Sequence, residues 1–293
     1  MKLAARAYYL ACLNIALILG GFLLSPGAVA DELVHYPKPA LANDPQVKYF
    51  LSLLQLALSH SKKNYELAPT STKMLQAGVI RDMTSPNGQV DLFWSMTTDE
   101  REAQLLPVRI PLDKGLIGWR IALIKPDKAP LFHGVKTIKD LRGIKAGQEQ
   151  SWPDTDILKS NGLEVVTASS EDAMFSMLIG GRFEYFPRSV LEIQAELQLH
   201  PAHGLIMEKE VILHYPSAFY FFVSPRRPDL AEDVRAGLEK AIADRSFERL
   251  FQQYMQPAID AADIKHRRII ELKNPLLSSD RLPLHRADLW YQP

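Results

Sequence analysis

The sequence is short of cysteine, of charge of one sign and of long apolar runs, and each shortage removes a class of explanation. Its one cysteine, Cys12, falls within the first thirty residues. Without a second thiol the chain cannot close a disulfide or build a cysteine-based metal site. Lysine plus arginine number 34 and aspartate plus glutamate also 34, so the formal charge is zero. That balance offers no basic footprint for nucleic acid and no polybasic patch for a membrane. The eight histidines contain no His-Glu-x-x-His motif, and neither a Gly-x-Ser-x-Gly elbow nor a phosphate-cradling P-loop occurs. His200 and His203 have a spacing that a metal could use. With Pro201 between them and no third ligand nearby, they read as a surface turn. The chain is expected to work without metal or cofactor.

The one long apolar run, Leu10 to Leu24, is interrupted only by Asn14, preceded by Lys2 and Arg6, and followed by Ala28-Val29-Ala30. A basic start, an apolar middle and small residues at the end form a secretory signal peptide, here covering residues 1–30 with cleavage after Ala30. The run is short for a spanning helix, and an uncleaved anchor is the alternative. Tyr9-Leu10-Ala11 before Cys12 fits a lipid-attachment box poorly, and the position lies too early. Cleavage would remove the only thiol and leave 32 basic against 34 acidic residues, a balance of −2. An export signal without a lipid anchor points to the periplasm.

The remainder is ordinary globular material, 47% hydrophobic and 23% charged over the whole chain, and long enough for two cores. Extended and helical patterns alternate along it. "ELVHYP", "YELAP" and "VDLFWSM" read as strands, separated by the helices "DPQVKYFLSLLQLALSH" and "STKMLQAGVIRDM". "LIGWRIALI" is an extended run. "TIKDLRG" is a short helix and "IKAGQEQ" a strand. "PDTDILKSNG", "SEDAMFSMLIGG" and "VLEIQAELQLH" are helices, and "LEVVTA", "RFEYF" (halted by Pro187) and "AFYFFVS" are strands. "DLAEDVRAGLEKAIADRSFERLFQQYM" is a single long amphipathic helix. Such alternation argues for an α/β architecture. After Pro257 the tail mixes prolines with Leu276, Leu277, Leu289 and Trp290, and reads as a strap packed over a domain.

One stretch stands out locally. In "SMTTDER", Thr98 suits a helix N-cap, and Asp99 and Glu100 suit a first turn where the helix dipole favours negative charge. Arg101 lies in that turn with the wrong sign. It either reaches away to solvent or waits for an anion.

Four segments together resemble, in order and spacing, the family 3 solute-binding proteins: "TTDEREAQLLPVRIPLDKGLIGWRIALI", "TIKDLRGIKAGQEQSWPD", "AMFSMLIGGRFEYFPRS" and "FYFFVSPRRPDLAEDVRAGLEKAIADRSFERLFQQY". The likeness covers roughly residues 88 to 255. These are periplasmic receptors for amino acids and similar solutes that serve ABC importers. The resemblance implies a type II periplasmic binding protein fold: two α/β lobes joined by two hinge strands, with a ligand cleft between them. Lobe one would hold residues 31–118 and 222–293, the latter with the strap from about 257, and lobe two residues 119–221. "GLIGWRIALI" and "SAFYFFVS" would be the crossovers. It further implies that Arg101 holds the substrate carboxylate. Other family features are altered. The first segment has only Tyr36-Pro37 and "ANDPQVKYF", the Gly-Thr-Thr turn of lobe two is replaced by Ser151-Trp152-Pro153, and the acid that clamps an amino group falls on Ser189.

A guanidinium suits a carboxylate because two parallel N–H groups meet two oxygens. Ser95 and Thr97 end the preceding strand, where open α/β sheets bind ligands, or make ordinary strand-end hydrogen bonds. Met96 reads as packing. Gln150, Ser151 and Trp152 precede a helix whose free N–H groups attract anions, and Trp152 either stacks on the ligand or covers the helix end. Tyr36 is a cleft wall or core. If Arg188 faces the cleft, two cations without a matched acid would call for a solute more acidic than an amino acid; a pairing with Glu192 removes that inference. The reading is therefore a binding module, a monomer rather than an enzyme, whose partners are a small solute and an ABC permease or a membrane sensor. The alternative of a dehydratase-like enzyme on the same scaffold needs a general acid or base, for which Glu149 and Glu184 lie nearest.

Overall fold

The computed structural model describes residues 32–39 and 44–293. The expected signal segment and its cleavage site lie outside the described residues. Among the described residues, no helix is long and apolar enough to cross a membrane.

Lobe one begins with β1 (Glu32–Tyr36), α1 (Pro45–Leu58), β2 (Tyr65–Pro69), α2 (Gln76–Thr84), β3 (Leu92–Met96), α3 (Asp99–Gln104) and β4 (Leu106–Val108). Lobe two follows with β5 (Trp119–Ile124), β6 (Ala146–Glu149), α4 (Pro153–Ser160), β7 (Val165–Ala168), α5 (Glu171–Ile179), β8 (Tyr185–Ser189), α6 (Ile193–Leu199), β9 (Ile206–Met207) and β10 (Val211–His214). The chain then returns to lobe one through β11 (Phe219–Val223), α7 (Pro228–Ala243) and α8 (Ser246–Ala262), and finally forms β12 (Arg268–Glu271).

In lobe one β1 and β2 run parallel, and β3, β11 and β4 form an antiparallel ribbon in that order. Asp91 bridges the two groups: its N–H donates to the His35 carbonyl at 2.9 Å and its carboxylate accepts from the His35 N–H at 2.9 Å. Helix α1 starts where its sequence indicates. The Asp44 side chain accepts from the Gln46 N–H at 2.8 Å, and Pro45 opens the helix without wasting a donor. Tyr49, Phe50, Leu53, Leu54 and Ala57 recur at helical spacing and are fully buried. They face α7 and α8. At the α1–α7 contact a side chain on Gly237 would place its Cβ 1.9 Å from the Ala57 carbonyl oxygen. Gly237→Ala is accordingly expected to destabilise the protein by about 1–3 kcal/mol, the range for overpacking. The measurement is a lower urea midpoint at unchanged m-value.

Lobe two is one mixed sheet in the order β12-β10-β5-β8-β6-β7, with β9 also pairing to β5. The chain passes between the lobes on either side of β12 and, earlier, at two crossovers, residues 109–118 and 215–218. The fully buried carboxylate of Asp113 ties them together, accepting from the N–H groups of Gly115 (3.2 Å), Ile117 (2.6 Å) and Phe219 (3.3 Å). Burial raises its pKa to about 6 in spite of these bonds.

Several elements differ from the sequence reading. The single helix expected over 229–255 is two, broken at Asp244-Arg245, where Arg245 turns left-handed at φ 63°. The expected strap does not begin at 257. Helix α8 runs through Pro257 to Ala262, and β12 then pairs in parallel with β10, so the tail visits lobe two before returning to lobe one. Pro187 does not halt its strand. β8 pairs with β6 only at Ala146 and Tyr185, so beyond that step the missing N–H breaks no rung of that ladder. The strands β4, β9, β10 and β12, each two to four residues long, carry too little periodicity to be read.

Candidate functional site

A cavity of about 560 Å³ lies between the lobes. Lobe one contributes Lys73, Gln76, Trp94, Met96, Arg101 and Phe219. Lobe two contributes Arg120, Trp152, Asp154 and Arg188, together with the acidic residues of α5 and α6.

Arg101 reaches the cavity because α3 is capped as the sequence indicates, with the Thr98 hydroxyl accepting from the Arg101 N–H at 3.1 Å. That bond fixes the first turn beside the end of β3. The guanidinium then donates to the Ser95 hydroxyl (2.6 Å), the Met96 carbonyl (2.7 Å) and the Gln76 side-chain oxygen (2.5 Å). Only 7% of the residue is exposed. Every one of these acceptors is neutral, and among the described residues no carboxylate forms an ion pair with it. Burial lowers its pKa to about 10, opposed at longer range by Asp154 and Glu100. A desolvated cation with only neutral partners, facing a cavity, would be stabilised by a neighbouring anion.

Lobe two presents a different arrangement, a chain of alternating charges. Tyr215 and Arg120 both meet Asp154; Arg120 lies 2.7 Å from Asp154 and 2.9 Å from the Tyr215 hydroxyl. Arg120 also reaches Glu192 at 3.2 Å. Arg188 contacts Glu192 (3.5 Å), Glu171 (3.1 Å) and both oxygens of Glu196, by Nε at 2.8 and 2.9 Å. Burial works against the charge on both arginines, but the acids around them outweigh it and hold their pKa values raised. Burial would likewise raise Glu192, yet Arg188 and Arg120 bring it below its usual value. Glu196 shares Arg188 with two other acids and is held at about 7 by burial. Four carboxylates thus share two guanidinium groups.

No family model and no curated protein sequence matches the chain. Solved structures do. A periplasmic binding protein of Salmonella typhimurium described as having high arginine specificity superposes with a TM-score of 0.57, at 16% identity, over 76% of this chain and 99% of that one. The GluR0 ligand-binding core in complex with L-glutamate gives 0.54 at 14% identity, over 78% and 99%. An ancestral amino-acid-binding protein described as a precursor of cyclohexadienyl dehydratase gives 0.52 at 15%, over 71% and 85%. The fold is that of the type II periplasmic binding proteins. In this binding-protein fold the cavity is the interlobe cleft, at the carboxyl ends of β3 and β8.

The interlobe cleft gathers some of the residues singled out from sequence and leaves others outside. Arg101, Trp152 and Arg188 line it, and Ser95 supports Arg101. Trp152 lies 4.7 Å from the Arg188 guanidinium and parallel to Phe186 at 6.3 Å. Thr97 is buried with its hydroxyl turned away to Glu102 at 2.7 Å. Tyr36 borders a separate groove between α1 and β2, and its neighbour Trp94, 6.3 Å away, lines the cleft instead. Gln150 and Ser151 are exposed, and Ser151 is turned back onto the Glu149 carboxylate. Ser189 is fully buried, its hydroxyl donating to the Leu116 carbonyl at 3.2 Å and accepting from the Leu191 N–H. An acid at that position would face the crossover rather than the cleft. His200 and His203 stack on each other at 4.9 Å beside Phe175, and among the described residues no group of three or more metal-ligating side chains exists.

Arg120, Asp154, Tyr215 and Glu196 escaped sequence reasoning. One signal was present: Arg120 is a lone charge inside "WRIALI", a strand buried along its whole length, and a charge there requires buried partners. Nothing in the sequence says that the partners come from α4, the residue before α6 and the second crossover.

Proposed function

We propose that this protein is a periplasmic receptor that closes on a small carboxylate-bearing solute and delivers it to an ABC importer. Arg101 carries the reading: it is a buried guanidinium with neutral partners only, set in the interlobe cleft. A carboxylate seated there would supply the missing charge. Closure follows because only the closed form touches the solute from both lobes, so ligand shifts the population toward it. The four-part likeness to family 3 solute-binding proteins and the structural neighbours that bind amino acids support the same reading. A membrane sensor in place of the permease would use the same closed form. The receptor acts as a monomer.

The charge arrangement in lobe two also argues for what the rest of the solute is. Arg188 faces the cleft but is already shared by Glu171, Glu192 and Glu196, so the case for a solute more acidic than an amino acid is withdrawn. With an acid excess opposite Arg101, the cleft suits a carboxylate that also bears a cationic group. Matched pairs test this in calorimetry: lysine against norleucine, and 5-aminopentanoate against pentanoate. The cation-bearing member of each pair is expected to bind at least about tenfold more tightly, the effect of some 1.4 kcal/mol. Tighter binding of dicarboxylates than of either pair would overturn the assignment.

A dehydratase-like activity has one observation in its favour, the Glu196 carboxyl held at about 7 in the cleft, where a general acid is useful. Glu149 and Glu184, nearest by sequence, hold backbone N–H groups of Ser151 and Lys145 and do not line the cavity. Turnover of a cyclohexadienyl acid would support the enzyme; binding without turnover supports the receptor.

A further inference from the structure

After β12 the chain does not stay with lobe two. The Leu272 N–H donates to the His214 carbonyl at 2.7 Å, and Lys273 exchanges two hydrogen bonds with the Asn161 side chain at 2.9 and 2.7 Å. Both contacts belong to lobe two. The next residue, Asn274, donates to the Pro216 carbonyl of the second crossover at 2.9 Å. Leu276 then accepts from the Asp99 N–H at 2.9 Å, and Ser278 donates to the Asp99 carboxylate through its N–H (3.2 Å) and its hydroxyl (3.0 Å). Asp99 is the first residue of α3, the helix that carries Arg101. Arg281 adds contacts to Asp99 at 3.6 Å and to Glu102 at 3.5 Å on the same helix. Further on, Trp290 covers Gly115, where a Cβ would stand 2.5 Å from its ring, and the Tyr291 N–H donates to the Lys114 carbonyl at 2.9 Å, both in the first crossover.

We propose that this C-terminal strap is a positioning element that ties the Arg101 helix to the sheet of lobe two and limits how far the lobes can part. The inference rests on the receptor reading for its functional meaning. Its mechanical part stands on the contacts alone. Only four residues separate the end of β12 from Leu276, and a fully extended chain reaches at most about 3.3–3.6 Å per residue. Lobe two therefore cannot swing away from α3 by more than that short tether allows. The two crossovers and the 263–267 link into β12 are connections on the hinge side of the molecule; what the strap alone adds is an attachment on the lobe-one helix that presents the guanidinium. Arrangements with the lobes together are thereby favoured before any solute binds, which raises apparent affinity by the factor by which the competent population rises.

Deleting the strap is a poor test, because Leu282 and Leu289 are buried in the core. Lengthening it is better. Inserting Gly-Ser-Gly-Ser between Lys273 and Asn274 keeps every contact on both sides but slackens the tether. Spin labels at Thr72→Cys and Gln198→Cys, exposed positions beside Lys73 and Leu199 of the cleft, report the separation in the full chain carrying Cys12→Ser. Without the insertion the solute-free protein is expected to give one narrow distance distribution. With it the distribution should broaden and lengthen by several ångströms, and the affinity for lysine, the probe used, should fall several-fold. Asn274→Ala combined with Ser278→Ala should move both readouts in the same direction by less, and decides the question should the insertion fail to fold. Unchanged distances in whichever of the two variants folds would overturn the proposal. A change in distance with no lysine binding in any form would leave the strap standing and count against the cation-bearing carboxylate as solute.

Discussion

On the receptor reading, Arg101→Met should weaken solute binding by more than an order of magnitude and yet leave the fold about as stable as before. The two halves of that expectation have one cause. Arg101 is buried without a counter-ion, so removing it leaves no carboxylate behind in a dry place. The lost hydrogen bonds to Ser95, Met96 and Gln76 cost about 1 kcal/mol each, and relief from holding a desolvated cation offsets much of that. The net change in unfolding free energy is expected within about 2 kcal/mol, read from urea denaturation. Binding has no such offset. Losing one partner of a buried charge pair costs about 2–5 kcal/mol, which lowers affinity by about 30- to several-thousand-fold. Calorimetry with lysine against the unmodified protein measures it. Unchanged affinity would remove Arg101 from the binding site.

Arg188→Met should do the reverse in severity, damaging the fold first. Here the guanidinium holds three acids, and its removal leaves Glu171, Glu192 and Glu196 without it; only Glu192 keeps a second cation, Arg120. Breaking a buried pair by deleting one partner costs about 3–5 kcal/mol, because the remaining charge stays desolvated. The pH dependence has a definite sign. Burial already raises the Glu196 carboxyl, and in the variant it loses the cation that opposes burial, so the folded state takes up a proton more readily than the unfolded chain as the pH falls. The variant should therefore regain stability relative to the parent between about pH 7 and pH 5. Parallel urea titrations at both values test it, and an equal deficit at each would show that the acids find other partners. Two arginines in one cleft thus have opposite expected consequences, decided by what surrounds each.

Much of the architecture was legible because it is written locally. The Asp44-Pro45 start of α1, the Thr98 cap of α3 and the Ser170 cap of α5 each state their element within a few residues. The break at Asp244-Arg245 was not, since the apolar periodicity continues across it and only the left-handed Arg245 marks the turn. Nor was β12, whose four residues acquire their meaning from β10, more than fifty positions earlier. The site divided along the same line. Arg101 was visible as a wrong-signed charge in a first turn. The chain from Tyr215 through Asp154, Arg120 and Glu192 to Arg188 joins four separate segments, and only its last step, Glu192 to Arg188 four residues apart, is open to a local reading. The Ser189 correspondence failed because register alone does not say which way a side chain turns; its hydroxyl is committed to the Leu116 carbonyl.

The placement of β12 has a consequence for how the molecule can be divided. Cutting at the two crossovers would yield a tidy-looking piece, but that piece would lack the strand that shields the flank of β10. Val211 to His214 would then offer unpaired backbone groups to any passing chain, an invitation to intermolecular pairing. The halves are not interchangeable modules: the last strand of one is supplied from the far end of the polypeptide, so any chimera or minimal fragment must carry that end with it.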